Sequence, residues 1–333
     1  MNVVDYRDIS GARVLVVGGA GFIGSHLVDL LVEEDVAEIL VFDNFVRGRW
    51  ENLEGALRSP RVRVIEGDIR DFEAMAAAVD GVDFVFHLAA LWLLQCAEDP
   101  RAALEVNVVG TFNVLAACRA AGVKRLVFSS SASVYGDMVD DPMTEDHPFN
   151  NRTMYGATKI AGEQLCHSFA QMYGVDWVGL RYFNVYGPRQ DYRGAYVAVM
   201  MKALDRIDAG LPPIIFGDGS QSYDFVYVGD VARANLLALK GKVTDQCFNV
   251  ATGRATPIRE LVDLILELTG SSLEPEYRPD LQTFVTHRRG STDRAARFLG
   301  FRAGMDLRDG MRRLIEWRRQ DIEARPLTGA GPR

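Results

Sequence analysis

Cysteine is scarce in this chain, and the few present form no pattern. Cys96, Cys118, Cys166 and Cys247 include no CxxC pair and no zinc-ligand spacing. That argues against a disulfide-stapled fold and a cysteine-based metal centre. Three of the four fall in helix-like stretches and read as small buried apolar residues in a reducing compartment. Long hydrophobic runs are missing as well. Nothing approaches the roughly 20 consecutive apolar residues of a membrane span, and Met1 to Ser10 has no apolar signal core. A cytoplasmic protein with no membrane partner is expected. There is no excess of positive charge either. Lys+Arg number 37 against 45 Asp+Glu, a net charge of -8, which argues against a surface that wraps nucleic acid. An anionic ligand must then be held by a local arginine cluster. No repeat or low-complexity segment interrupts the chain, and only the Pro/Gly-rich tail after Arg325 is expected to be loose.

What is present is the composition of an ordinary globular protein, 48% hydrophobic and 25% charged over 333 residues. At roughly 150 residues per domain, that length suggests about two domains. The first half alternates strand and helix signals. Arg13 to Gly18, Glu38 to Asp43, Val62 to Ile65, Val82 to His87, Lys124 to Ser129 and Val175 to Arg181 read as buried strands. Helical spacing follows Ile23, spans Phe72 to Val79 and Arg101 to Ala121, and runs from Tyr155 to about Tyr173. Short links between alternating elements imply an α/β, Rossmann-type, doubly wound parallel sheet with its ligand beyond the strand C-terminal ends. The second half breaks the alternation. Gln190 to Gly219 and Pro257 onward are expected to form a smaller mixed α/β lobe, while Phe225 to Asp230 and Cys247 to Val250 return to the large sheet's edge. This divides the chain into a dinucleotide-binding domain, 1–184 with 225–252, and a substrate lobe within 185–333, with the substrate cleft between them.

The run Gly18-Gly19-Ala20-Gly21-Phe22-Ile23-Gly24 follows a strand and opens a helix. Gly18 permits a tight turn, Gly21 lets a pyrophosphate approach the backbone, and Gly24 allows close helix–sheet packing. The helix start at Phe22 and Ile23 offers free N–H groups to phosphates. The spacing is G-x-x-G-x-x-G, one residue longer at the front than G-x-G-x-x-G. Asp43 ends the second strand 19 residues after Gly24. A carboxylate there can bond both adenine-ribose hydroxyls and repels a 2′-phosphate, favouring NAD over NADP. Further on, Tyr155 and Lys159 stand four residues apart, on one helix face. An ammonium beside a phenol favours the phenolate, so the Tyr155 pKa is expected to fall from about 10, towards that of a general base.

With these motifs in order, the chain resembles the extended short-chain dehydrogenase/reductase group, the NAD-dependent nucleotide-sugar epimerases and dehydratases. GGAGFIG, Asp43-Asn44, Gly67-Asp68-Ile69, His87-Leu88-Ala89-Ala90, Asn107 in VNVVGT, SSSASVYG, YGATK, RYFNVYGP and YDFVYVGDV carry the resemblance. It implies cofactor contacts from Asp43 and Asn44, from Asp68 and Ile69 to adenine, from Leu88, Ala89 and Ala90 along the path to the nicotinamide ribose, and from Asn107. Ser131 would bond the substrate hydroxyl and Tyr155, and Lys159 the nicotinamide ribose. Asn184 and Arg288-Arg289 would hold the substrate diphosphate. Many relatives carry an arginine where Tyr223 stands, so either another arginine compensates, with Arg189 and Arg193 as candidates, or the nucleotide-sugar sits differently; an arginine could equally clamp a C6 carboxylate. Trp92 and Leu93 would shape the sugar pocket. Dehydrating and decarboxylating relatives carry carboxyl groups just after the catalytic serine; here those places hold Ala132 and Ser133. The resemblance therefore implies a 4-epimerase of a UDP-sugar with NAD as a retained cofactor. Another nucleotide-sugar enzyme of this group and a non-catalytic NAD sensor are the alternatives. Relatives pair the helices at Arg101 to Ala121 and Tyr155 to Tyr173 into a four-helix bundle, which implies a homodimer. The basic face of a C-terminal helix, Leu307 to Ile322, with Arg312, Arg313, Arg318 and Arg319, reads as solvated and not as a nucleic-acid site.

Overall fold

The computed structural model describes residues 6–192, 199–279 and 285–325. Arg193 and the tail after Arg325 lie outside them. Six strands, β1 (Arg13–Val17), β2 (Glu38–Asp43), β3 (Val62–Glu66), β4 (Phe84–His87), β5 (Arg125–Ser131) and β6 (Trp177–Tyr182), join Gln246–Val250 in one parallel sheet. Its order is Gln246–Val250, β6, β5, β4, β1, β2, β3. The chain runs outward from β1 to β3, then crosses back to β4, so the strand order reverses between β1 and β4. Val17 pairs with His87 at that seam, and a crevice opens beyond their C-terminal ends.

Side chains alternate across the strands. Val14 and Val16 pack on one face with Leu27, Val28 and Leu31 of the Phe22–Val32 helix. Leu15 and Val17 pack on the other with Val79, Leu115, Cys166 and Phe169. Burial on both faces explains the apolar strand runs. Gly122 and Gly174 end their helices in the left-handed conformation. All four cysteines are free thiols. Among the described residues no helix is long and apolar enough to cross a membrane.

Three expectations need correction. The helical stretch expected at Arg101 to Ala121 contains a π-helical turn, Glu105–Gly110, between Pro100–Leu104 and Thr111–Ala121. Gln246–Val250 does join the large sheet, but Phe225–Tyr227 pairs instead with Asn184–Tyr186 in a separate two-stranded ribbon. The edge of β6 is already occupied by Gln246–Val250. Arg318 is not solvated: it is buried between Asp205 and Asp208. That pairing ties the C-terminal helix to a third core containing Met200, Leu204, Leu261, Ile265, Met311 and Leu314.

Candidate active site

The glycine loop is shaped by backbone meeting backbone. Gly18 has φ +83°, and a Cβ there would lie 2.6 Å from the Ala89 nitrogen. At Gly24 a Cβ would lie 2.2 Å from the Gly18 oxygen and 2.8 Å from the Gly19 Cα. Only glycine lets the first turn of the Phe22–Val32 helix close on the β1 end and on the Leu88–Ala90 segment. Gly21, at the N-cap, is extended with no side chain to cap the free N–H groups. This open cradle fits a dinucleotide diphosphate.

Asp43 ends β2 and is 8% exposed. Its carboxylate accepts N–H bonds from Ala20 at 3.0 Å and Phe45 at 2.9 Å. Burial raises its pKa, and these N–H groups oppose the rise. A Cβ at Gly48 would come within 2.6 Å of its Oδ1, so the niche is tight, as discrimination against a 2′-phosphate requires. Asn44 donates to Asp68 at 3.1 Å. Asp68 is held at about 2, first by its bond to Arg70. Ile69 is buried beside Gly110.

At the other end, Thr153 caps the Met154–Tyr173 helix by accepting from the Gly156 N–H at 3.0 Å. This fixes the turn that carries Tyr155 and Lys159. A cleft of about 310 Å³ joins the two ends, lined by Gly18, Gly24, Leu88, Trp92, Tyr155 and Lys159 among others. The expected fall in the Tyr155 pKa is not found. Tyr155 is partly exposed at the cleft wall, but desolvation pushes its phenol up to about 12, opposed by the Ser131 hydroxyl, Arg288 and Arg47. Lys159 is 5% exposed and donates to the Ser129 carbonyl at 2.7 Å. Its own pKa is pulled down by burial to about 8. Desolvation outweighs the through-space pull anticipated from four-residue spacing.

Ser131 ends β5. Its Oγ accepts the Ser133 N–H at 3.1 Å, and no carboxyl stands at Ala132 or Ser133. Asn107, expected at the cofactor, is spent on protein. Its amide accepts from the Leu91 N–H at 2.7 Å and donates to the Leu91 carbonyl at 2.9 Å and to Thr158 at 3.1 Å. The π-helical turn aims it there, so it braces the wall beside Trp92 against the catalytic helix.

The arginines separate sharply. Arg288 is placed beside Tyr223 by a backbone bond from its N–H to the Ser222 carbonyl, 2.9 Å. Among the described residues its guanidinium donates one hydrogen bond, to the Gly136 carbonyl at 3.4 Å. Desolvation lowers it to about 10, against the pull of Tyr223, Asp137 and Tyr155. Arg289 instead pairs with Asp141 at 2.7 Å, and Arg189 with Asp29 at 2.7 Å. Among the described residues Arg288 is a cation beside Tyr223 and Tyr155. Asn184 has a buried side-chain oxygen without a hydrogen-bond partner among the described residues. Tyr223 itself donates to the Val285 carbonyl at 2.8 Å.

Arg47 and Arg49 are cleft residues that no motif announces; their closeness to Asp43 in the chain is the one available signal. Both reach Asp191, at 3.5 and 3.3 Å, and Arg47 lies 5.1 Å over the Trp92 ring. The adjoining segment is anchored by a 3.0 Å contact between His26 Nε2 and the Pro188 carbonyl.

Comparison with known proteins agrees with this geometry. Residues 14–251 match the NAD dependent epimerase/dehydratase family. The chain is 38% identical over 310 residues to the UDP-glucose 4-epimerase of Mycolicibacterium smegmatis, covering 92% of this chain and 98% of that one. It resembles the UDP-N-acetylglucosamine 4-epimerase of Methanobrevibacter ruminantium, solved with UDP-N-acetylmuramic acid, at TM-score 0.89 and 32% identity over 94% and 99% of the two chains. The UDP-glucose 4-epimerase of Thermotoga maritima, solved with UDP-glucose, gives TM-score 0.87 and 35% identity over 93% and 99%.

Proposed function

The chain belongs to the NAD-dependent epimerase/dehydratase family, and from that premise we propose that it interconverts the C4 epimers of a UDP-linked sugar through a transient 4-keto sugar. One observation carries this reading: Tyr155, Ser131, Lys159 and Arg288 gather at one end of the glycine-loop cleft, with no second acid/base at Ala132 or Ser133. NAD⁺, when bound, supplies the hydride acceptor and donor at C4 and a positive charge beside Tyr155. Gly18, Gly21, Phe22, Ile23 and Gly24 would hold its diphosphate, and Asp43 its adenine ribose.

Tyr155 takes the C4 hydroxyl proton and returns it after the sugar has turned over. Ser131, Arg288 and Arg47 favour the phenolate this requires, against desolvation. Lys159, anchored on the Ser129 carbonyl, is set to orient the nicotinamide ribose. The Arg288 guanidinium and the Asn184 side-chain N–H groups hold the diphosphate while the keto sugar rotates about it. The cofactor half takes 1–184 with 228–252, Phe225–Tyr227 going with the Asn184–Tyr186 ribbon, and the substrate lobe lies within 185–333. The enzyme works in the cytoplasm, where its free thiols stay reduced. Phe112 at 48% and Met172 at 69% exposure, on neighbouring helices, form an apolar face suited to a homodimeric four-helix bundle.

The test is to incubate purified protein, without added NAD, with UDP-glucose, UDP-N-acetylglucosamine and UDP-glucuronate, and to resolve the C4 isomers. Isomerisation of at least one by protein carrying its own nucleotide is expected. A decarboxylated or dehydrated product, or none at all, refutes the reading.

A further inference from the structure

We propose that Glu163 is a positioning residue of the catalytic helix: its buried carboxylate keeps Lys159 charged and pins the strand end that carries Ser131. Tyr155, Lys159 and Glu163 follow one another at intervals of four on one helix face. Glu163 is 3% exposed. Its Oε1 accepts the Ser130 hydroxyl at 2.5 Å and Arg181 Nε at 2.9 Å, and its Oε2 accepts an Arg181 terminal N–H at 2.7 Å. Ser130 lies between Ser129, whose carbonyl receives the Lys159 ammonium, and Ser131. One carboxylate therefore grips the peptide segment on which both groups depend. The Arg181 guanidinium is locked in turn by donating to the Tyr135 hydroxyl and the Glu145 carbonyl, each at 2.8 Å.

A buried ion pair is poor evidence of a stabilising role, because desolvation cancels much of its attraction. Its place under Lys159 points to an electrostatic one. Lys159 faces Tyr155, Glu163 and Cys166 from its own helix, Cys96 from Leu93–Glu98 and His87 from β4. Glu163 faces Arg181 from β6, Cys247 from Gln246–Val250 and Tyr135. Burial lowers Lys159, while Cys96, Glu163 and Cys166 oppose it. Burial holds both thiols in their neutral form, leaving Glu163 as the carboxylate among the three. Removing that charge makes Lys159 lose its proton at lower pH, so the alkaline limb of turnover moves down.

Only the kinetic readout rests on the epimerase reading. The direct measurement is ¹³C NMR of full-length protein labelled at lysine Cε, with the resonance assigned through Lys159→Arg. In Glu163→Gln the Lys159 midpoint should fall by about one pH unit, and the alkaline limb of kcat should fall with it while KM holds. Glu163→Asp should restore both. Because the single change leaves Arg181 unpaired, Glu163→Gln/Arg181→Met is the companion variant and should show a smaller shift in the same downward direction, since both charges of the pair are gone. An unmoved or raised midpoint in both variants, a kcat loss equal at every pH, or failure of both to fold would assign Glu163 to stability alone and overturn the proposal. The NMR midpoint reads Lys159 whether or not any sugar turns over.

Discussion

The two ends of the cleft are built on different terms. At the glycine-loop end, recognition surfaces are made of main chain, from one contiguous run and the turn after β4. Gly18 and Gly24 sit where a Cβ would press into backbone atoms that cannot step aside. At the sugar end, Ser131, Tyr155 and Arg288 come from three distant parts of the chain. Among the described residues the Arg288 guanidinium is steadied by one long hydrogen bond, to the Gly136 carbonyl. A substitution at the first end should break the scaffold; one at the second should break chemistry or binding and leave the scaffold standing.

The largest effect tests the first half of that contrast. Gly24→Ala places a methyl 2.2 Å from the Gly18 carbonyl oxygen. It should cost about 3 kcal/mol or more and abolish nucleotide retention, read by urea unfolding and by absorbance of the purified protein. Normal stability with full nucleotide content would break the contrast. Tyr155→Phe comes next and behaves oppositely. It should lower kcat by about 10³-fold or more, while melting temperature and bound NAD stay at wild-type values. A lost cofactor in Tyr155→Phe would mean that the two ends are not separable.

The same contrast explains what could be read from the sequence. The sheet, the glycine loop, Asp43 and the Tyr155–Lys159 pair were legible because each is local: a strand run, a glycine spacing or a four-residue helical interval. The Tyr155 pKa was not, because desolvation depends on walls contributed by the whole fold. The bonds from Asn107 to Leu91 and Thr158 were not legible because a π-helical turn looks like ordinary helix in sequence. Phe225–Tyr227 was misplaced because apolar residues do not say which sheet edge is already taken. Arg318 looked solvated because its partners, Asp205 and Asp208, lie far back in the chain.

Arg288 and Arg289 sharpen the point, since neighbouring identical residues offer the sequence no way to choose. The structure divides them: Arg289 pairs with Asp141, whereas Arg288 stands by Tyr223 and Tyr155. Arg288→Ala should raise KM for the UDP-sugar by about 10- to 100-fold, the scale of one lost charge-assisted bond, with a smaller loss in kcat. Arg289→Ala should stay within about twofold, as expected when a half-exposed ion pair is removed. Equal effects on KM would dissolve the assignment of Arg288 to the diphosphate.

The smallest expected effect lies where the two ends meet. Arg47 and Arg49, just past Asp43, reach Asp191, which follows the substrate ribbon, and the adjoining Pro188 carbonyl contacts His26. These contacts lie along the cleft wall, so they should slow the escape of the cofactor without touching the reacting atoms. The ion pairs are partly exposed and worth up to about 1 kcal/mol. Asp191→Asn should therefore speed NAD release by about two- to fivefold and leave kcat alone, as measured by the loss of bound nucleotide on dilution. The difference from wild type should shrink in 1 M salt, where the screening length falls to about 3 Å. A release rate insensitive to both the substitution and salt would show that the backbone cradle alone retains the cofactor, making the contrast between the two ends sharper still.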